Sequence, residues 1–223
     1  ERSFGMKPVL AAFNGSVPLS WIKRNPKAQV TEVSQWGGFG KQFRTYFLSP
    51  KDPRFKQLQK IFIEEQTRLF GTDHYYCLDC FNEVQPPSWQ PEELRQQTEF
   101  IHQSLDQADP VSVWVQMGWF FYNDQKHWTL DAMRSFLSGI PKGRMMMLDY
   151  YIDHTELWKR TEAFYGHQFL TCVLANFGGN TMLQGDMDKV SARLDEALRH
   201  GSNMVGIGAT MEGFGVNPDF YEF

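Results

Sequence analysis

Short apolar runs alternate along the chain with longer segments in which apolar residues recur at helical spacing. The runs have strand length and are mostly continuous, as in strands buried on both faces of a parallel sheet. They predict strands at Pro8–Phe13, His74–Phe81, Val111–Phe121, Met145–Tyr151, Phe169–Asn176 and Met204–Ala209. The amphipathic segments predict helices near Phe55–Phe70, Pro91–Gln107, Leu130–Leu137, His154–Phe164 and Met187–His200.

This repeating unit of strand, loop and helix predicts an α/β fold, and specifically an incomplete (β/α)8 TIM barrel. Polar residues cluster after the strands, at the edge where such barrels build their active sites. A doubly wound sheet is the alternative, but no glycine-rich phosphate fingerprint follows an early strand. Only six strands can be counted, so we expect residues 1–223 to be the central and C-terminal part of a catalytic barrel. The first strand–helix units are then expected before residue 1.

The composition of the chain does not favour binding to nucleic acid or insertion into a membrane. Of the 223 residues 42% are hydrophobic, enough for one sizeable core, and the formal charge of −4 offers no basic surface for nucleic acid. No run of eighteen apolar residues predicts membrane insertion. The aromatic excess of 7 Trp, 8 Tyr and 19 Phe suits sugar stacking but equally suits a core. Three cysteines imply no disulfide framework, and Cys77-x-x-Cys80 lies in a strand pattern that does not favour a redox or zinc site.

Two glutamates follow predicted strands, Glu83 in Phe81-Asn82-Glu83 and Glu212 in Met211-Glu212-Gly213. Retaining glycoside hydrolysis needs two carboxyl groups about 5–5.5 Å apart, and carboxylates at the ends of different barrel strands can meet that distance. Burial of Glu83 against Trp119 would favour its protonated form and hence the acid role. The competing interpretation of either glutamate is a solvated loop residue or helix cap.

Several segments resemble the alpha-N-acetylglucosaminidases of glycoside hydrolase family 89, which include a lysosomal enzyme that trims heparan sulfate. The matching segments are RSFGMKPVL, QWGGF, FGTDHYYCLDCFNEVQPPS, VWVQMGWFF, LANFGGN and MVGIGATMEG. The combination of FNE-x-QPPS with a distant MEG glutamate is specific, and the resemblance runs from end to end.

The resemblance implies removal of terminal alpha-linked N-acetylglucosamine from glycans by double displacement. Glu83 resembles the family's general acid/base and Glu212 its nucleophile, while Asn82, Trp36 and Trp119 are similar to residues around its sugar pocket. No cofactor or metal is implied. The resemblance further implies a small α/β domain before the barrel, a helical domain after it, and a secreted, periplasmic or lysosomal location.

Two departures affect the expected sugar pocket. Asn14-Gly15-Ser16 stands where the lysosomal form has Ala-Gly-His, and Ala175 replaces the histidine before Asn176. We therefore add Asn14, Ser16, Asn176 and Tyr150 as candidate substrate-binding residues, and expect the Asn14 glycosylation acceptor to be unmodified at the pocket rim. Exact sugar preference is accordingly open. A retaining hydrolase of another terminal sugar and a non-catalytic sugar-binding relative are the alternatives.

A few other polar residues have two interpretations. Asp79 and Asp149 could contact substrate hydroxyls or pair with barrel cations. His74, His154 and His167 lie at element starts and are expected to be capping or surface residues. No spacing of side chains predicts a metal site.

Overall fold

Nine strands and seven α-helices make up the fold in a computed structural model that describes residues 1–174 and 186–213. The strands are β1 (Val9–Ala11), β2 (Ser16–Val17), β3 (Val30–Glu32), β4 (Tyr46–Leu48), β5 (Tyr75–Cys77), β6 (Val113–Met117), β7 (Met145–Asp149), β8 (Gln168–Val173) and β9 (Met204–Ala209). The helices are α1 (Leu19–Arg24), α2 (Pro53–Phe70), α3 (Pro91–Ala108), α4 (Trp119–Asn123), α5 (Leu130–Ser138), α6 (Leu157–Arg160) and α7 (Met187–His200). Short 3-10 turns lie at Arg2–Phe4, Lys41–Phe43 and Phe164–Gly166.

The main sheet has the strand order β1-β5-β6-β7-β8-β9, and every neighbouring pair is parallel. Spatial order therefore follows chain order without reversal. A doubly wound sheet would reverse its order at a switch point, so the sheet is of the barrel type. Within the described residues it stays open, with β1 and β9 at its edges.

Local signals explain the long helices. The side chain of Asp52 accepts a hydrogen bond from the backbone N–H of Arg54 at the start of α2, and Pro53 occupies the first helical position. Thr129 caps α5 and Asp186 caps α7 in the same way. These caps satisfy N–H groups that have no partner inside the helix.

The core lies between the sheet and its helices and is dominated by aromatic rings. Trp114 of β6, Phe121 of α4 and Phe136 of α5 are at most 1% exposed. The Phe136 ring packs against the other two, and Phe121 and Phe136 both pack against Trp128. Large rings bury the most apolar area per residue. This cluster fixes the position of the loops that follow β5 and β6.

A small antiparallel sheet, in the order β2-β4-β3, is inserted between β1 and α2 and was not predicted. Phe47 of β4 packs against Phe81, with ring centroids 5.0 Å apart. The insertion is thereby held beside the C-terminal end of β5.

Several predicted boundaries are wrong. The predicted strand Val111–Phe121 ends at Met117, and the chain turns into helix α4. The predicted helix His154–Phe164 is reduced to α6, because residues 162–165 all have φ near +50°, a left-handed conformation that ends a right-handed helix. The predicted strands at His74–Phe81 and Phe169–Asn176 are shorter, and Asn176 lies outside the described residues.

No helix in the described part of the chain combines the length and the apolar character needed to cross a bilayer.

Candidate active site

A cavity of about 590 Å³ opens at the C-terminal ends of the parallel strands. It is lined by Trp36, Asn82, Glu83, Met117, Trp119, Tyr150 and Glu212. The structure therefore brings together both candidate catalytic glutamates and four of the seven candidate substrate-binding residues. The rest of the lining is Met117, the last residue of β6.

Glu83 is held in a tight turn after β5. Its φ of +54° is left-handed, a conformation that costs a non-glycine residue about 1–2 kcal/mol. The turn is fixed by buried Phe81 on one side and by Gln85 on the other, whose backbone N–H donates to the Ser34 hydroxyl at 2.9 Å. Such strain is concentrated at functional sites, where the surrounding structure over-determines it.

Two indole groups hold the Glu83 carboxylate from different elements. Trp119 at the start of α4 donates its Nε1–H to Oε1 at 2.8 Å, and Trp36 donates its own to Oε2 at 2.5 Å. Trp36 lies in the β3–β4 connection and stacks on Phe39, with the rings nearly parallel and 5.1 Å apart. Each carboxylate oxygen thus has a fixed donor, which restricts rotation of the side chain.

This arrangement corrects the expected environment of Glu83. Trp119 is its neighbour, as predicted, but Glu83 is exposed rather than partly buried. The indole contributes an N–H donor instead of an apolar wall, because both rings meet the carboxylate edge-on through nitrogen.

Glu212 lies in the chain that follows β9. Two residues earlier, the Thr210 hydroxyl donates to the carbonyl oxygens of Tyr150 and Val173, at 3.1 and 3.2 Å. The Thr210 backbone N–H also donates to Val173 at 2.9 Å. These bonds tie the loop that carries Glu212 to the ends of β7 and β8.

Burial and nearby charges raise the pKa values of two groups beside the cavity. Burial, together with the negative charges of Glu212 and Asp79, raises the pKa of Tyr150 to about 12, so this phenol remains a neutral donor at working pH. Burial raises the pKa of Asp79 to about 6, with Glu83 adding to the effect and a hydrogen bond from Gln116 opposing it. Asp79 is the third carboxyl at this edge and accepts that bond at 3.0 Å.

Asn82 has a buried side-chain oxygen that meets no hydrogen-bond donor among residues 1–174 and 186–213. The residue lines the cavity, so this atom lies where a bound molecule could complete its hydrogen bonding.

Three candidate substrate-binding residues are not in the described lining of this cavity. Asn14 accepts a hydrogen bond from the backbone N–H of Ser16 at 3.0 Å, and neither lines this cavity. Asn176 and Ala175 fall outside the described residues. Asp149 is fully buried and accepts backbone N–H bonds from Leu157 and Trp158, so it anchors α6.

The cysteines and His167 lie in environments that suit a structural role. The three cysteines are free, and burial raises the pKa of Cys77 to about 11 and that of Cys172 to about 12, which disfavours the thiolate needed for metal binding or redox exchange. His167 was expected to be a capping or surface residue. It caps the C-terminal end of the 3-10 turn Phe164–Gly166, but it is fully buried, with Nε2 2.9 Å from the Leu137 carbonyl oxygen. In the described residues, no three His, Cys, Asp or Glu side chains are grouped to hold a metal.

Sequence reasoning missed Met117 and the donor role of the two tryptophans. Met117 ends β6, the neighbour of β5, and its place at a strand terminus was an available signal. The donor role of Trp36 had no local signal, because it depends on how the β3–β4 connection folds over Glu83.

Comparison with known proteins places this geometry in a family. The tim-barrel domain of alpha-N-acetylglucosaminidase (NAGLU) matches residues 1–223. The human protein named alpha-N-acetylglucosaminidase is 37% identical over 222 residues, covering 99% of this chain and 30% of the human sequence. The chain therefore spans less than a third of that relative.

Solved structures agree with the sequence match. A family 89 glycoside hydrolase from Clostridium perfringens in complex with PUGNAc superposes with a TM-score of 0.84 at 27% identity, covering 99% of this chain and 24% of that one. A variant of the Clostridium protein with two glutamates replaced by glutamine, in complex with its substrate GlcNAc-alpha-1,4-galactose, superposes equally well at 26% identity, over the same shares of the two chains.

Proposed function

Since the chain belongs to the alpha-N-acetylglucosaminidase family, we propose that it forms the catalytic barrel segment of a retaining glycoside hydrolase that removes terminal alpha-linked N-acetylglucosamine. The observation that carries the proposal is the placement of Glu83 and Glu212 on one cavity. The substrate complex of the Clostridium relative, in which two glutamates are replaced, supports both the substrate and the number of carboxyl groups.

In the first step the Glu212 carboxylate attacks the anomeric carbon while Glu83 gives its proton to the glycosidic oxygen. The bond between the anomeric carbon and that oxygen breaks, the leaving sugar departs as an alcohol, and a glycosyl ester forms on Glu212. In the second step Glu83 accepts a proton from water, which attacks the same carbon and releases Glu212. Two inversions leave the configuration of the product unchanged.

The side chains around the two glutamates have separate roles. The indoles of Trp36 and Trp119 each donate a hydrogen bond to Glu83 and so orient its carboxyl group for proton transfer. Tyr150 is a neutral hydroxyl donor beside Glu212. The unsatisfied oxygen of Asn82 can accept a hydrogen bond from a substrate hydroxyl or amide N–H.

A panel of nitrophenyl glycosides tests this function. The alpha-N-acetylglucosaminide should be cleaved with a kcat/KM at least a hundred-fold above the alpha-glucoside, alpha-galactoside and beta-N-acetylglucosaminide. A preference for another terminal sugar would replace the proposed substrate. Binding of N-acetylglucosamine without turnover of any glycoside would instead indicate a sugar-binding protein.

A further inference from the structure

Asp79 carries a carboxyl group beside the active cavity that the proposed mechanism does not use. It follows strand β5 and is half-buried. Its Oδ1 accepts a hydrogen bond from the side-chain amide of Gln116 at 3.0 Å. Within the described residues the lining of the cavity includes Glu83 but not Asp79. A role for Asp79 in the reaction would therefore pass through a neighbouring residue rather than through contact with the sugar.

The Gln116 amide is fixed in place and offers Asp79 a neutral donor. Gln116 is 1% exposed on β6, and its Oε1 accepts the indole N–H of Trp114 at 3.1 Å. Its Nε2 also donates to the backbone carbonyl oxygen of Met117 at 3.0 Å. No lysine, arginine or histidine forms an ion pair or hydrogen bond with Asp79 in residues 1–174 and 186–213. The negative charge of Asp79 thus has no cation to offset it there.

The buried Asp52 shows how a structural aspartate of this fold is paired. It accepts the backbone N–H groups of Gln29 and Arg54 and forms an ion pair with the Arg54 guanidinium at 3.0 Å. Although burial acts to raise the pKa of Asp52, these donors hold it below its ordinary value. At Asp79 burial prevails and the pKa is about 6. An asparagine could accept the Gln116 bond as well, so local packing does not require a carboxyl group at this position.

The charged neighbours of Asp79 belong to the catalytic pair. The charge of Glu83 acts on Asp79 directly, and the charges of Asp79 and Glu212 both act on Tyr150. The titratable groups linked to Asp79 in this way are Glu83, Tyr150, Glu212, Cys77 and Cys80. Burial raises the pKa of the tyrosine and of both thiols, which leaves the two glutamates as the charged neighbours. Coupling between carboxyl groups is reciprocal, so each makes ionisation of the other less favourable.

We propose that Asp79 is a positioning residue for the acid/base, whose carboxylate keeps the catalytic proton on Glu83 and so extends activity toward neutral pH. The inference rests on the proposed glycosidase function and adds a residue to its proton transfer. Glu83 can donate in the first step only while it is protonated. When Asp79 is ionised, loss of the Glu83 proton brings two like charges together, so the proton is retained to higher pH. A neutral residue at position 79 can therefore only lower the fraction of protonated Glu83.

The test compares the pH profiles of kcat/KM for the wild type and Asp79→Asn in the full chain. The substrate is phenyl alpha-N-acetylglucosaminide, because phenolate is a poor enough leaving group to need the acid. The two proteins should agree within about two-fold near pH 4.5, where Asp79 is neutral. On the alkaline limb Asp79→Asn should be roughly three- to thirty-fold less active, a shift of about 0.5–1.5 pH units toward acid. Asp188→Asn, which removes a charge from α7, should keep the wild-type profile.

A change of leaving group shows whether Asp79 acts through Glu83. Dinitrophenolate departs without protonation, so Asp79→Asn should lower kcat/KM for the dinitrophenyl glycoside by less than about two-fold at the same alkaline pH. Asp79→Glu, which keeps the charge, should stay closer to the wild-type limb than Asp79→Asn does. Urea unfolding at each pH checks that the variants are folded.

The outcomes separate the two levels of the inference. If the wild type cleaves neither aryl glycoside, the glycosidase function is wrong and the role of Asp79 falls with it. Cleavage with an unchanged alkaline limb in Asp79→Asn overturns the role of Asp79 alone. An equal loss on both leaving groups, or at every pH, also overturns it, because such a loss would mark a structural residue.

Discussion

Replacing Trp119 with phenylalanine removes one of the two donors that hold Glu83 and keeps an aromatic ring in place. The lost bond joins an indole N–H to a carboxylate oxygen at 2.8 Å. The ring itself also packs against Tyr122 and Tyr151, with centroids 5.2 and 5.7 Å away, and phenylalanine preserves part of that packing. The perturbation is therefore directed mainly at the position of Glu83.

The expected size of the effect follows from the type of hydrogen bond. Bonds to charged groups are worth about 1.5–3 kcal/mol. If that energy is lost from the transition state, kcat/KM falls by roughly 10- to 150-fold. Trp36→Phe should act in the same direction, since it removes the donor to the other oxygen.

A double-mutant cycle separates the loss of this bond from a loss of sugar packing. The activity of the wild type, Trp119→Phe, Glu83→Ala and the double variant is measured on nitrophenyl alpha-N-acetylglucosaminide, with azide present throughout. Trp119→Phe should lower kcat/KM 10-fold or more in the protein that has Glu83. In the Glu83→Ala background it should lower kcat/KM less than about three-fold, because that variant has no carboxylate to accept the indole hydrogen bond. Trp21→Phe, on helix α1, controls for the general effect of a smaller ring.

If Trp119→Phe lowers kcat/KM by the same factor in both backgrounds, the indole does not act through Glu83. It would then act on the substrate directly, and its bond to Glu83 would be incidental.

Three further changes test the structure around the site. Asp79→Asn should stabilise the protein at pH 7.5 by up to about 3 kcal/mol and have little effect near pH 4, measured by urea unfolding. The sign follows because the folded-state pKa, about 6, lies above the ordinary 3.8, so wild-type stability falls as pH rises between these values and is flat above them. Gly118→Ala should lower the free energy of unfolding by about 1–3 kcal/mol, because the added Cβ would lie 2.8 Å from the carbonyl oxygen of Leu148. Asp149→Ala should cost about 2–4 kcal/mol in the same measurement, because two buried N–H groups of α6 lose their acceptor.

The elements predicted most accurately have a long hydrophobic pattern and a clear capping residue or glycine at one end. Helix α7 and strand β9 have the predicted bounds, because each combines a continuous pattern with a polar cap or a glycine. The second sheet was missed because its strands have only two or three residues, too few for a period to register. Helix α4 was missed because its aromatic residues continue the apolar run of β6, and the turn at Gly118 is set by contact with the neighbouring strand.

From the sequence, the residue pattern could predict only those site residues that directly follow a strand. Glu83 and Glu212 were found because each follows an apolar run, and the structure brings both to one cavity. The environment of Glu83 could not be predicted, because one of its donors comes from the unpredicted insertion and the other from the unpredicted helix. The missing barrel units, the flanking domains and the binding roles of Asn14, Ser16 and Asn176 stay predictions.

In the proposed mechanism Glu212 is the nucleophile and Glu83 the acid/base. Azide rescue of Glu83→Ala and Glu212→Ala, with the anomeric configuration of the product read by NMR, tests it most directly. Glu83→Ala should still form the glycosyl ester from an aryl substrate, and azide should then release an alpha-glycosyl azide of retained configuration. Glu212→Ala, which cannot form the ester, should give only the beta azide of inverted configuration. An inverted azide from Glu83→Ala, with a retained one from Glu212→Ala, would reverse the two roles and contradict the account.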